Sequence, residues 1–218
     1  MVGADVSPRS YRMGQRQAAV DDTRQRVLGA ARKLLTDPTG YKAFTVDAVA
    51  RAADVARPTV YYQFGSKQGL IEALCDDLAA DGQISDLADA FGEGDPLAGL
   101  RRLVGVFAQF WASQRSLTRR LRALAALDPD VGHVIAARDE RRRQALLVLV
   151  ERVAADPRYA PARAVDAAVT LLLAITSFEV FDTVAPPGAP PAEVGSLLAG
   201  LVPAALGLSG ESASPSVS

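Results

Sequence analysis

Thr45-Val-Asp-Ala-Val-Ala-Arg-Ala-Ala-Asp-Val-Ala-Arg-Pro-Thr-Val-Tyr-Tyr-Gln-Phe-Gly-Ser-Lys-Gln-Gly-Leu70 is the stretch that decides the fold. Thr45 is a good N-cap and Asp47 follows in the first turn, so a short helix opens here. Val46, Val49, Ala50 and Ala53 form its inner face. Asp54-Val55 is a break, and Arg57-Pro58 restarts a second short helix, proline being tolerated in the first turn. Gly65 ends that helix, and Ser66 caps another that runs through Leu70, Ile71, Leu74 and Leu78 to about Asp81. Two short helices joined by a tight turn can read DNA when the second fits the major groove. That requires an apolar lock, which Val46, Val49, Val55, Val60 and Phe64 can supply. At about 100° per residue, Val60 and Phe64 turn inward while Pro58, Tyr61 and Tyr62 share the opposite arc. Arg57, at the start, can project past the helix end toward base edges.

Upstream, Asp21, Asp22 and Thr23 offer capping and dipole-matched residues for a first helix. Its face is Val27, Ala30, Ala31, Leu34 and Leu35, at i, i+3, i+4, i+7 and i+8, and Asp37-Pro38-Thr39-Gly40 stops it. Residues 1–20 read as a flexible basic arm: Gly3, Ser7, Pro8, Ser10 and Gly14 alternate with Arg9, Arg12 and Arg16. Such an arm can follow the DNA backbone or enter a minor groove. The net charge of −1 does not mark a nucleic-acid binder, but its distribution does. Residues 1–70 hold eleven Lys and Arg against six Asp and Glu, a net +5, whereas residues 71–218 hold thirteen against nineteen, a net −6. A basic head on an acidic body attracts phosphates locally.

Residues 45–70, with the preceding Arg26-Val-Leu-Gly-Ala-Ala-Arg-Lys-Leu-Leu35, resemble the DNA-binding head of the TetR family of transcriptional regulators. The likeness covers roughly residues 23–75, and its most specific part is Pro58-Thr-Val-Tyr-Tyr-Gln-Phe-Gly-Ser-Lys67. The resemblance implies a role for each matching residue. Thr45 would cap its helix and contact a phosphate. Arg57 would read a base, with guanidinium to guanine O6/N7 as the expected mode. Pro58 and Thr59 would touch a thymine methyl and the backbone, and Tyr61 and Tyr62 would give hydroxyls to phosphates. Lys67, with the amides after Ser66, would clamp a phosphate at a helix N-terminus. Two positions depart from the family pattern. Asp54 stands where a turn glycine is usual, and Ala56 stands where a capping Ser or Thr is common, so the recognition helix is expected to be less well capped.

The expected fold is all-α: a three-helix head over residues 21–70 on a larger helical ligand-binding and dimerisation domain over 71–208, with a flexible tail over 209–218. Hydrophobic residues make up 49% of the chain and aromatics 6%, enough for a real core with little sign of strands. Past Leu78, the pattern gives a brief helical piece near Leu87 to Phe91, then helices over about 96–113, 116–127, 129–155, 163–184 and 192–208. The last two are apolar on more than one face, which points to a symmetric homodimer closed by a four-helix bundle. Its heads, about 34–36 Å apart or near a multiple of a helical turn, would meet a pseudo-palindromic operator. The family further implies a small-molecule effector in the body. Phe107, Phe110, Trp111, Phe178 and Phe181 are the expected lining. Few charges fall among them, so an apolar effector is expected. His133 and the run Arg141-Arg142-Arg143 read as solvated helix surface.

One Cys and one His, no glycine-rich phosphate loop and no metal-spaced cluster leave nothing suited to catalysis, a metal or a cofactor. A single Cys75 fits a reducing cytoplasm. The apolar runs are too short or interrupted to span a bilayer, so no membrane partner is expected. The expected function is a ligand-released regulator, most simply a repressor. The alternative is a DNA-organising or replication-linked binder that uses the same head without an inducer.

Overall fold

Alanine, leucine and arginine favour helix, and in the computed structural model every regular element among the described residues is helical. The structure describes residues 8–37, 44–82 and 84–208, with side chains from Gln17 onward. In chain order the helices are α1 (Pro8–Thr36), α2 (Val46–Ala52), α3 (Arg57–Phe64), α4 (Lys67–Asp81), α5 (Leu87–Gly92), α6 (Pro96–Ser113), α7 (Arg115–Ala125), α8 (Pro129–Ala155), α9 (Val165–Ile175), α10 (Phe178–Val184), α11 (Pro191–Ala199) and α12 (Val202–Leu206). A short 3₁₀ turn over Ile84–Asp86 precedes α5.

Two compact units divide the chain: Met1–Asp77 with Arg120–Gly132, and Leu78–Arg119 with His133–Ser218. The head thus extends past the expected boundary at residue 70 and takes in a second segment. The cause is polar as well as apolar. Arg120 Nη1 donates to Leu35 O at 2.7 Å, satisfying one of the last carbonyls of α1 with a cation suited to a helix C-terminus. Lys67 pairs with Asp128 in the same unit. The first unit buries Val27, Leu28, Ala31 and Leu35 of α1, Val46 and Val49 of α2, Val60 of α3, and Leu70, Ile71 and Leu74 of α4.

The expected flexible arm over 1–20 is overturned from Pro8 onward, because α1 begins there and not at Asp21. Proline suits a first turn, and the Arg, Gln, Met and Ala that follow are strong helix formers. Asp21, Asp22 and Thr23 accordingly lie inside the helix. Gln17 Nε2 donates to Asp21 Oδ1 at 2.9 Å, Arg26 pairs with Asp22 at 3.6 Å, and Thr23 Oγ1 donates to Ala19 O at 2.8 Å. The expected features at residues 1–7, at the Pro38-Thr39-Gly40 stop and in the tail 209–218 lie outside the described residues.

The core of the second unit contains Leu100, Leu103, Leu146, Leu149, Leu172 and Leu206, all fully buried. The expected helix over 163–184 is two helices, α9 and α10, bent by 51°. Thr176 Oγ1 bonds back to Leu172 O at 2.8 Å, and Ser177 Oγ accepts from Val180 N at 3.2 Å as a new N-cap. Both are the local bonds with which Ser and Thr compete against helix continuation. Trp111 Nε1 donates to Thr176 O at 2.9 Å and completes the elbow. The expected helix over 192–208 also breaks, into α11 and α12, near Gly200 and Pro203, whose ring supplies no N–H to the preceding turn.

Arg115 and Arg119 converge on Asp182 at 2.6 and 2.7 Å, and Arg115 Nη2 also reaches Asp182 O and Ala185 O. Burial raises the Asp182 pKa, but the bonds from Arg119 and Arg115 outweigh it and hold the carboxyl below its ordinary value. The run Arg141-Arg142-Arg143 is not a uniform solvated face. Arg142 is 6% exposed, pairs with Asp139 at 3.1 Å, and lies 5.5 Å and 5.8 Å from the Phe107 and Trp111 ring centroids. Its position one step round the helix from Arg141 turns it inward, and the aromatic faces accept the cation. His133 is exposed.

Candidate nucleic-acid interface

The α2–turn–α3 pair is held by the expected lock at its centre. Val49 and Val60 are almost wholly buried, while Val55 and Phe64 are half-buried. Between the helices Asp54 adopts φ 51°, the left-handed conformation that a glycine would take without strain. Ala56 caps α3 without any side-chain bond, as expected from its methyl group. Compensation comes from α1: Arg24 lies 4.6 Å over the Phe64 ring and donates to Gln63 O at 3.3 Å, and Gln63 Nε2 donates to Val20 O at 3.3 Å. The far end of α3 is thereby pinned, and Val60 is fixed facing in.

That orientation leaves Arg57, Pro58, Tyr61 and Tyr62 exposed on the outer arc, with Thr59 half-buried beside them. Tyr62 is 83% exposed and Tyr61 38% exposed, so neither is a core residue. Arg57 is held on two sides. Its Nε lies 3.0 Å from Asp47 Oδ1 of α2, and its Nη2 donates to Tyr61 Oη at 3.2 Å. Its guanidinium carbon stands 5.5 Å from the Tyr61 ring centroid. The Tyr61 bond first, and the Asp47 carboxylate second, hold the guanidinium protonated even more firmly than usual. The Tyr61 hydroxyl accepts here, which leaves its own proton available to a phosphate.

Thr45 Oγ1 accepts from Ala48 N at 3.1 Å, the expected N-cap of α2, and its hydroxyl proton stays on an exposed side chain. Ser66 Oγ accepts from Gly69 N at 2.9 Å and caps α4 in the same way. Gly69 is required there, since a Cβ would stand 2.1 Å from Phe64 O. Lys67 is less free than its expected role demands: its Nζ is paired with Asp128 Oδ2, with side chains only 23% and 18% exposed. Burial raises the Asp128 pKa, but the Lys67 bond and charge outweigh it and keep the carboxyl low.

The structure therefore joins Arg57 to Tyr61 and diverts Lys67 to a carboxylate. Asp47, Arg24 and Asp128 were missed as members of this surface. Asp47 carried a signal only as a first-turn acid, while Arg24 and Asp128 act across 39 and 61 residues of chain, where periodicity says nothing. In the second unit, Phe107, Phe110, Trp111 and Phe178 form one ring cluster, with centroids 5.9, 4.7 and 5.6 Å from Trp111. Phe181 lies under Arg115 at 5.8 Å. These rings are packed core with Phe110 half-buried. A separate open groove of about 310 Å³ is lined by other residues, including Arg101, Gly105, Gln109 and Gly195.

Comparison with known proteins agrees with this geometry. Residues 27–74 match the family described as bacterial regulatory proteins, tetR family. The HTH-type transcriptional regulator EthR of Mycobacterium tuberculosis is 28% identical over 188 residues, covering 83% of this chain and 87% of that protein. The uncharacterised HTH-type regulator YvkB of Bacillus subtilis is 44% identical over 52 residues, covering 24% of this chain and 27% of that protein. A TetR-like transcriptional regulator from Rhodococcus superposes with a TM-score of 0.59 at 25% identity, covering 83% of this chain and 93% of that structure. On motif, helical architecture and similarity together, residues 27–74 form a DNA-binding head of the tetR type, and the chain as a whole is similar to TetR-family transcriptional regulators.

Proposed function

We propose that this chain is a repressor that binds a pseudo-palindromic operator as a homodimer and is released by a small-molecule effector. The observation that carries the DNA-binding part is the outward arc of α3: Arg57, Pro58, Tyr61 and Tyr62 exposed over a buried Val60. Arg57 reads a base edge, Pro58 and Thr59 meet a methyl and the backbone, and Tyr61, Tyr62, Thr45 and Lys67 hold phosphates. The homodimer is supported by apolar side chains left outside on the C-terminal helices of the second unit: Leu171 is 40%, Val184 36%, Leu197 60% and Leu201 45% exposed. Large apolar side chains exposed in this way are what a symmetric partner covers. The reading keeps the protein in the cytoplasm with its DNA; no single helix among the described residues is long and apolar enough to cross a membrane.

Effector binding is proposed for the second unit, around Phe107, Phe110, Trp111, Phe178 and Phe181. Arg142 adds a cation beside these rings, so a molecule lodged there meets apolar surface and one positive charge. In vitro selection from a random duplex library with the purified chain tests the proposal. An enriched motif with two-fold symmetry is expected; failure to retain any duplex at low ionic strength refutes it. Genomic sites without promoter bias would favour the DNA-organising alternative.

A further inference from the structure

We infer that Asp47 is a positioning residue for sequence discrimination, holding the Arg57 guanidinium in the orientation that reads a base. The inference rests on the DNA-binding reading above and deepens it. An acid on a face turned toward a polyanion weakens binding to every duplex alike, so its presence there calls for a compensating role. The Asp47–Arg57 pair does not find that role in stability. Both side chains are more than half exposed, where water and salt screen the attraction and little net stability results.

Geometry offers the role. Asp47 Oδ1 lies 3.0 Å from Arg57 Nε, Tyr61 Oη takes a hydrogen from Nη2 at 3.2 Å, and the Tyr61 ring faces the guanidinium. Fixing one edge and one face of the plane leaves the Nη1 hydrogens and the second Nη2 hydrogen directed elsewhere. One Nη1 hydrogen and that Nη2 hydrogen make up the donor pair a guanine O6/N7 edge accepts. A guanidinium already ordered before contact loses less side-chain freedom on binding, and it tolerates a wrong base less well because swinging to a phosphate means giving up the Asp47 and Tyr61 contacts. Asp47 therefore trades general affinity for selectivity.

This gives a signature with two opposite signs. Selection and competition binding on the full-length chain should compare wild type, Asp47→Asn, Asp47→Glu, Arg57→Ala and the double variant Asp47→Asn/Arg57→Ala. Asp47→Asn should bind random duplex about threefold more tightly, because a repelling charge is gone. It should also lose about five- to tenfold discrimination at the base pair whose preference Arg57→Ala abolishes. Asp47→Glu, which keeps the charge, should restore most of that discrimination. Asp47→Asn should cost nothing further in the Arg57→Ala background. If Asp47 serves only the N-terminus of α2, its substitution lowers thermal stability and leaves base preference intact, which overturns the inference while the DNA-binding reading stands. An Arg57→Ala variant with unchanged preference also overturns the inference and leaves the DNA-binding reading standing, whereas a wild-type protein that selects no motif overturns both.

Discussion

Lys67 and Asp128 form an ion pair that places the first residue of α4 against the corner between α7 and α8. The same carboxylate accepts from Asp130 N through Oδ1 at 3.1 Å, so Asp128 both caps α8 and engages the ammonium. A phosphate approaching the N-terminus of α4 must therefore compete with a protein carboxylate for Lys67.

Asp128→Asn separates those roles, since an amide oxygen can still cap α8 but carries no charge. It should tighten binding to all duplexes several-fold and steepen the dependence of log K on log salt by up to about 0.9, the contribution of one neutralised phosphate. Lys67→Ala should do the reverse, weakening all sequences alike with a flatter slope. Fluorescence anisotropy across a salt series checks both; a loss confined to one sequence contradicts the phosphate role.

Arg57→Ala should relax preference at one base pair per half-site by about 1–3 kcal/mol and leave the salt slope nearly unchanged. A panel of single-base operator variants reads the difference. Unchanged discrimination would remove Arg57 from the reading face.

Trp111→Phe should destabilise the protein by about 1–3 kcal/mol, because Thr176 O at the elbow loses its buried donor. Urea unfolding followed by circular dichroism measures this. An unaffected midpoint would mean that another group satisfies the carbonyl.

Acid should weaken the fold only below the ordinary carboxylate range. Asp128 and Asp182 are held low, and Asp156, bonded to Arg158, is lowered to about 2. A depressed folded-state pKa gives stability that is present above the unfolded value, about 3.9, and lost as pH falls through the folded one. Thermal melts should be level from neutral pH down to about 4 and decline from there toward pH 2. A decline that begins near neutrality would point to other groups.

Leu197→Glu places a charge on the most exposed large apolar side chain of α11. Sedimentation should show the variant as a monomer under conditions where the wild type is a dimer, with operator affinity reduced accordingly.

Much of the head was legible in the sequence because its signals are local. The Thr45 cap, the Gly65 stop, the Ser66 cap and the inward set Val46, Val49 and Val60 each follow from neighbours within a turn or two. The outward arc of α3 follows from the same spacing. What escaped acts at a distance or depends on context. Pro8 can open a helix as well as interrupt an arm, and the residues after it decided for helix. Thr176 and Ser177 break an apolar run that periodicity joins, because their hydroxyls bond the adjacent backbone and Trp111 donates from 65 residues away. Arg142 looks like one of three solvated arginines until aromatic faces are set beside it. The diversion of Lys67 to Asp128 has no local trace.

The chain contains one tryptophan, and its indole is wedged at the bend between α9 and α10 among Phe107, Phe110 and Phe178. All of the protein's indole emission thus originates from a single spot in the second unit. A small molecule entering those rings, or a straightening of the elbow, changes the polarity and quenching felt by that chromophore. The protein carries an unlabelled optical reporter for titrating compounds against itself, usable before any operator is known.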